Sequence, residues 1–186
     1  MTINLKNLLN PNIKISKMGE FQELKKIEGL SISAVSADLY GDGRDDLSLF
    51  YFKDGAKYAA IYTKSQIVSN SIEWNLNVKN KLIKALLINT KNANTFTGKK
   101  GFQGLNELSK SLSKQLTLKL AQAPGGVSDV VNPNEIIFAS TGVIGDTFPT
   151  DKIKRSIPHL VEKLKNEQNK YVWFKVASAI MTTDTR

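Results

Sequence analysis

Glu135-Ile-Ile-Phe-Ala139-Ser140-Thr141-Gly142-Val143-Ile144-Gly145 is a short apolar run that passes directly into a small, polar, glycine-containing segment. A compact apolar run of this length, preceded by the turn residues Asn132-Pro-Asn134, reads as a buried strand. A strand that ends in Thr-Gly exposes consecutive backbone N–H groups, and glycine lets the backbone approach a neighbour or a ligand closely. Ala85-Leu-Leu-Ile-Asn89 is a second buried strand of the same kind. Between the two, Leu105, Leu108, Leu112 and Leu116 recur at helical spacing, so residues 104–120 form an amphipathic helix. Strands and helices that alternate at crossover length, beside hairpin signals, indicate an α/β or mixed α+β layered fold.

The pattern extends in both directions. Small and apolar residues alternate from Leu30 to Ala37, as in a strand. Tyr40-Gly-Asp-Gly-Arg-Asp-Asp46 is a turn. Leu47–Phe52 and Tyr58–Thr63 flank Asp54-Gly55, which predicts a hairpin. Residues 67–84 contain a helix. Pro124-Gly-Gly126 marks a loop. Thr150 is placed to cap a helix carrying Ile153, Ile157, Val161 and Leu164 on one face, and Pro158 should kink or split it. Trp173, Val176, Ala177 and Ile180 form a last helical face, and Trp74 and Trp173 read as core anchors. Residues 1–26 form an irregular arm with at most a short strand at Ile13–Ile15. No repeat or linker divides the chain, so residues 1–186 read as one domain.

Composition removes several function classes. The net charge is +9 and the pI about 9.6, but the positive charge is nearly all lysine, spread along the chain, and the only arginines are Arg44, Arg155 and Arg186. Arginine is the residue of bidentate phosphate and base recognition, so a solvated lysine surface fits better than a nucleic-acid interface. No run of 18 apolar residues spans a membrane. The absence of cysteine excludes disulfides, Cys-type zinc sites and cysteine nucleophiles. The start has no secretory pattern, and the cytoplasm is the simplest compartment. The acidic stretch Asp38–Asp46 resembles a calcium loop, but position twelve is Leu49 and Arg44 would sit in the cage. His159, the single histidine, reads as a surface or capping residue, so no Ser-His-Asp triad can be assembled.

Four strings carry more. Asn92-Ala93-Asn94 with Thr97-Gly98 follows the strand at 85–89. Ser140–Gly145 follows the strand at 135–139 and is itself followed by Pro149-Thr-Asp-Lys-Ile153. Met181-Thr-Thr-Asp-Thr185 closes the sequence. Read singly, these are a self-bonded loop, a glycine turn, a helix entry and a tail. In this order they resemble the ornithine acetyltransferase (glutamate N-acetyltransferase) family, specifically its α chain, over roughly residues 27–186. The sequence departs from the family in two ways: Thr90-Lys91 stands where Ser-Gly is usual, and Phe96 where Cys is usual.

The resemblance implies the family's fold and chemistry. Thr141 and Gly142 would form the oxyanion hole. Thr182, with Thr183 as the near alternative, would contact the acetylated amino acid. The nucleophile would be a Thr at the N-terminus of a separate β chain made by self-cleavage, in an α2β2 assembly. Acetyl would pass from N2-acetyl-L-ornithine to L-glutamate in arginine biosynthesis, with no metal or cofactor; some family members also accept acetyl-coenzyme A. The family continues beyond the Met-Thr-Thr-Asp-Thr motif through a Lys-Gly-x-Gly-Met segment to its Ala–Thr cleavage point, whereas this sequence ends at Arg186. The expectation is an α chain lacking its last segment and inactive alone. Competing readings are a non-catalytic binding protein that retains the fold, a related self-processing aminopeptidase, and a basic nucleic-acid-binding module.

Overall fold

Alternation along Leu47-Ser-Leu-Phe-Tyr-Phe52 sends Leu47, Leu49 and Tyr51 to one side of a strand and Ser48, Phe50 and Phe52 to the other. In the computed structural model, which describes residues 24–79, 82–123 and 130–182, the first set enters the larger of two hydrophobic clusters, and Phe50 and Phe52 pack on the smaller. The expected strand at Ile13–Ile15, the loop at Pro124–Gly126 and Thr183 lie outside the described residues.

Four strands, β1 (Leu30–Val35), β2 (Leu47–Lys57), β3 (Leu82–Asn89) and β4 (Ile136–Ser140), lie side by side in chain order. β1–β2 and β2–β3 are antiparallel, with Ile32 opposite Phe50 and Leu49 opposite Leu87. β4 joins β3 in parallel, Leu87 opposite Phe138, and the helix α2 (Gly98–Ala121) supplies the crossover such a pair requires. The structure bears out the mixed α/β layering.

The expected hairpin does not form. Asp54-Gly55 lies inside β2, where the register shifts between Tyr51 and Ala56, and Gly55 has φ +76°. A glycine in the left-handed region serves a bulge as well as a turn. Here β3 continues to offer partners, Ile83 to Ala56 and Leu82 to Lys57, so the strand runs on. Tyr58–Thr63 is not a strand; Ile61 is fully exposed.

The helix expected across 67–84 is only α1 (Asn70–Asn77), capped by Ser69, whose Oγ accepts from the Ile72 N–H at 3.3 Å. From Leu82 the chain pairs with β2 instead, with Ile83, Ala85, Leu87 and Asn89 buried at period two. α1 also covers the free edge of the sheet. Asn75 donates through Nδ2 to the Phe138 carbonyl at 2.8 Å and accepts from the Phe138 N–H at 3.0 Å, as a neighbouring strand would. Trp74 donates to the Ile136 carbonyl at 2.9 Å and meets Phe138 edge-on, which makes it the expected core anchor.

α2 and α3 (Thr150–Glu162) cover one face of the sheet, burying Leu105, Leu108, Leu112 and Leu116 against Ile153, Ile157, Leu160 and Val161. Each such side chain contributes about 1.5–3 kcal/mol by leaving water. Pro149, not Thr150, occupies the N-cap of α3. The helix is not split at Pro158; both Pro158 and Lys154, whose carbonyl loses its partner, are exposed, so water can replace the missing bond. α4 (Lys170–Ala179) lies on the opposite face over β1 and β2. Its buried stripe is Val172, Val176 and Ala179, rotated from the expected one: Ala177 is exposed and Trp173 is half-buried against Phe50. Leu86, Ile88, Ile137 and Ala139, on the same side of β3 and β4, are only half-buried.

Candidate active site

The carboxyl ends of β3 and β4 run on together past the sheet. Thr141 N–H donates to the Asn89 carbonyl at 3.1 Å, Val143 N–H to Lys91 at 2.9 Å, and Ala93 N–H to Val143 at 2.9 Å. This ribbon holds Gly142 at φ +132°, where a Cβ would land 2.8 Å from the Asn92 nitrogen and closer still to the Lys91 carbonyl carbon and oxygen. Only glycine fits that contact.

The same pairing decides which donors the turn offers. The expected pair of consecutive free N–H groups is not present, because the Thr141 N–H is engaged by Asn89. Among the described residues, the Gly142 N–H and the Thr141 hydroxyl have no hydrogen-bond partner. Thr141 is half-buried and residues 142–147 are exposed. The turn therefore presents one backbone and one hydroxyl donor at the open end of the sheet, a geometry suited to a developing oxyanion.

Beneath it lies a buried polar network, the structural role that side-chain-to-backbone bonding gives such a loop. Asn89 Nδ2 donates to the Asn92 carbonyl at 2.9 Å, and Ser140 Oγ donates to Asn89 Oδ1 at 2.7 Å. Asn92 Nδ2 reaches the Asp146 carbonyl at 2.9 Å, while Asn92 Oδ1 accepts from the Asn94 N–H at 2.7 Å. Thr97 Oγ1 donates to Asn94 Oδ1, and Asn70 Nδ2 to Thr97 Oγ1, both at 2.7 Å. Asn92 and Asn94 are 2% and 0% exposed, so these bonds fix the loop from inside. The bulky Phe96 faces water and does not enter the network.

The Met181–Thr182 segment is brought toward this ribbon by residues that sequence reading treated only as a charged turn. Arg44 Nη2 donates to the Met181 carbonyl at 3.1 Å, and its guanidinium lies 3.4 Å from the Tyr40 ring centre. The Lys91 ammonium lies 5.4 Å from the same ring. Tyr40 thus links the Lys91 end of the turn to the segment that carries Thr182. Thr182 is half-buried. No sequence signal joins Arg44 to Met181.

The acidic turn holds itself in place rather than converging on an ion. Asp46 is fully buried and accepts from the Ala37 and Leu39 N–H groups at 2.7 and 2.6 Å. Burial pushes its carboxyl above the usual 3.8, against the pull of those two bonds and of Arg44. Asp45 pairs with Lys175 at 3.4 Å and Asp38 with Lys152 at 3.6 Å. Among the described residues no three or more His, Cys, Asp or Glu side chains converge as a metal site. His159 is exposed beside Glu162 at 3.3 Å, the surface position expected of it. No described helix is long and apolar enough to cross a membrane. An open cleft of about 650 Å³ between α2 and α3 is lined by Phe96, Lys100, Gly104, Asp146 and Lys152; it includes neither Thr141, Gly142 nor Thr182.

Known proteins resemble this chain in sequence and in fold. The ArgJ family matches residues 31–186. The arginine biosynthesis bifunctional protein ArgJ of Gluconobacter oxydans is 35% identical over 164 residues, 88% of this chain and 35% of that protein. The protein of the same name from Bartonella quintana is 31% identical over 176 residues, 93% of this chain and 39% of that protein. The chain therefore spans little more than a third of the length of these relatives. Its fold is similar to that of ornithine acetyltransferase from Mycobacterium tuberculosis, solved in complex with ornithine, at a TM-score of 0.73 and 26% identity, covering 88% of this chain and 83% of that one. It shares the fold, at a TM-score of 0.72 and 22% identity, with the arginine biosynthesis bifunctional protein ArgJ of Bacillus halodurans, covering 89% of this chain and 81% of that one. The family match begins inside β1 and runs through α4 to Arg186, and on it the chain belongs to the ArgJ family.

Proposed function

We propose that this polypeptide is the α-chain part of a glutamate N-acetyltransferase that moves acetyl from N2-acetyl-L-ornithine to L-glutamate in arginine biosynthesis, in the cytoplasm. The observation that carries the reading is the turn after β4, where the Gly142 N–H and the Thr141 hydroxyl have no hydrogen-bond partner among the described residues. The nucleophile is the N-terminal Thr of a β chain released by self-cleavage. Its hydroxyl oxygen attacks the acetyl carbonyl carbon while its own α-amine takes the proton. The Gly142 N–H and Thr141 hydroxyl stabilise the oxyanion, the C–N bond breaks, and ornithine leaves with the proton. The α-amine of glutamate then attacks the acetyl-Thr ester, which returns the hydroxyl and releases N-acetylglutamate. Acetyl-coenzyme A is a further donor for the first half. Thr182, or Thr183 beside it, contacts the acetylated amino acid.

One feature supports a partner chain. The half-buried Leu86, Ile88, Ile137 and Ala139 form an apolar face on the strands that lead into the turn, suited to a second layer in an α2β2 assembly. The test is expression of the native gene with its downstream sequence, followed by intact-mass measurement, N-terminal sequencing and an acetyl-transfer assay. Co-purification of an equimolar chain beginning with Thr, active with acetylornithine and glutamate, is expected. A single 20.6 kDa species without activity would overturn the reading.

A further inference from the structure

Lys91 is one of four non-glycine residues with a positive φ among the described residues; at +72° it occupies a region that side-chain-bearing residues seldom adopt. A strained position is kept where it does something. The backbone half of the position explains the conformation: Lys91 offers its carbonyl to the Val143 N–H at 2.9 Å and lies against Gly142. Glycine would do that without strain, so the side chain is what needs explaining.

That side chain carries its charge to a ring that already holds one cation. Arg44 is 3.4 Å and Lys91 5.4 Å from the Tyr40 centroid. Arg44 is fixed by its bond to the Met181 carbonyl and has the buried Asp46 carboxylate near it. Lys91 has no carboxylate partner among the described residues. Both cations approach one ring, so their like charges repel, and a cation–π contact that must share its ring is a weak return for a strained backbone. An anion beside that ring is attracted by both. Because the Lys91 peptide touches Gly142, the ammonium is no further from the turn than the length of its own four-carbon stem.

We propose that Lys91 and Arg44, gathered on Tyr40, form a carboxylate subsite that takes the α-carboxylate of the amino-acid substrate at the Thr141-Gly142 turn. The inference rests on the acetyl-transfer reading. That reading selects the α-carboxylate: it is the anionic group that both acetylornithine and glutamate carry, and it lies a few bonds from the acetyl carbon. A cationic pair aimed at the far end of the substrate would instead repel the ornithine ammonium.

The test uses the assembled two-chain enzyme with Lys91→Gly, Lys91→Arg and Lys91→Gln. Glycine relieves the backbone, so the first variant keeps the fold. The reading to take is the ratio of kcat/KM for N2-acetyl-L-ornithine to that for its α-carboxamide. Wild type and Lys91→Arg should share a high ratio, and Lys91→Gly and Lys91→Gln should lower it about tenfold or more, the scale of a lost charge-assisted bond. Equal ratios in all four proteins would overturn the subsite, because a purely structural role for Lys91 leaves this ratio alone. Calorimetric titration with N-acetylglycine and N-acetylglycinamide separates this failure from failure of the proposed reaction. If the wild type transfers no acetyl yet prefers the acid, and Lys91→Gly loses that preference, the subsite stands and the reaction falls. If neither protein prefers the acid, the subsite falls.

Discussion

Replacing Gly142 with alanine tests the turn on two scales at once. At φ +132° an alanine is strained, by about 1–3 kcal/mol. Its Cβ would also meet Lys91 carbonyl atoms and the Asn92 nitrogen, the latter at 2.8 Å. These are backbone atoms and cannot swing aside as a side-chain end can. Relief requires moving the Lys91–Asn92 peptide, which the bonds from Val143 to Lys91 and from Ala93 to Val143, both 2.9 Å, hold in place. Forced overpacking of this kind costs about 1–3 kcal/mol more. The expected loss is therefore about 2–6 kcal/mol, a large share of the roughly 5–15 kcal/mol of a typical domain. Urea denaturation should show it as a lower midpoint. The displaced N–H should also lower acetyl transfer about 100- to 1,000-fold at a temperature where the variant is folded. Thr141→Val is the control. It removes a hydroxyl that has no partner among the described residues from a half-buried site, so stability should stay within about 0.5 kcal/mol while the rate falls on the same scale. A Gly142→Ala protein with the wild-type midpoint would refute the packing argument. A destabilised variant with the wild-type rate would refute the oxyanion role and leave the packing intact.

Asp46→Asn leaves one of the Ala37 and Leu39 N–H donors without an acceptor and should cost about 1–3 kcal/mol at neutral pH by urea melt. Because burial raises the Asp46 pKa in the folded state, its ionised form opposes folding, and that opposition is relieved as pH falls through the folded pKa toward 3.8. The stability of wild type relative to Asp46→Asn should therefore increase from neutral pH to about pH 4, and a decrease would show that the two backbone bonds outweigh burial. Asn75→Ala removes both bonds to Phe138 and should lower the urea midpoint by the equivalent of about 1–3 kcal/mol, with self-association rising as the sheet edge is uncovered; sedimentation would read the latter. Ile137→Asp, on the half-buried outer face, should leave the fold of this chain within about 1 kcal/mol of wild type but abolish co-purification of the β chain, and retention of the partner would remove that face from the interface.

The central strands and the crossover helix were legible because their signals are local. Ala85–Ile88 and Ile136–Ala139 are unbroken apolar runs, and the leucines of α2 keep one helical face. Asp54-Gly55 was misread because a glycine with positive φ serves a turn and a bulge alike. Whether the chain reverses there is decided by β3, some thirty residues later, offering partners to Ala56 and Lys57. The buried stripe of α4 was misplaced because β1 sets it, not the helix: Trp173 is wide enough to reach Phe50 from the margin, so the fully buried positions are Val172, Val176 and Ala179. At the site, Thr-Gly after an apolar run was readable as an exposed turn. Which N–H it leaves free was not, since Asn89 takes that of Thr141 across the sheet. The bond from Arg44 to Met181 spans 137 positions and has no local signature.

The unfinished face of the sheet and the open turn are consequences of one arrangement. α2 and α3 close one side over all four strands, whereas α4 lies on β1 and β2, leaving Leu86, Ile88, Ile137 and Ala139 half-buried. Those residues lie on the two strands whose carboxyl ends become the Lys91 and Gly142 ribbon. A layer that covers them for the ordinary reason of removing apolar surface from water reaches the turn with its own edge. On the proposed reading, burial of that face and delivery of a nucleophile to the Gly142 N–H are therefore the same docking event. A substitution such as Ile137→Asp, far from any reacting atom, should then abolish acetyl transfer by preventing assembly, whereas Gly142→Ala in an assembled enzyme should slow it by disturbing the donor. The two losses are separable by whether the β chain is still bound, and that separation is the sharpest consequence of placing the site at the end of these strands.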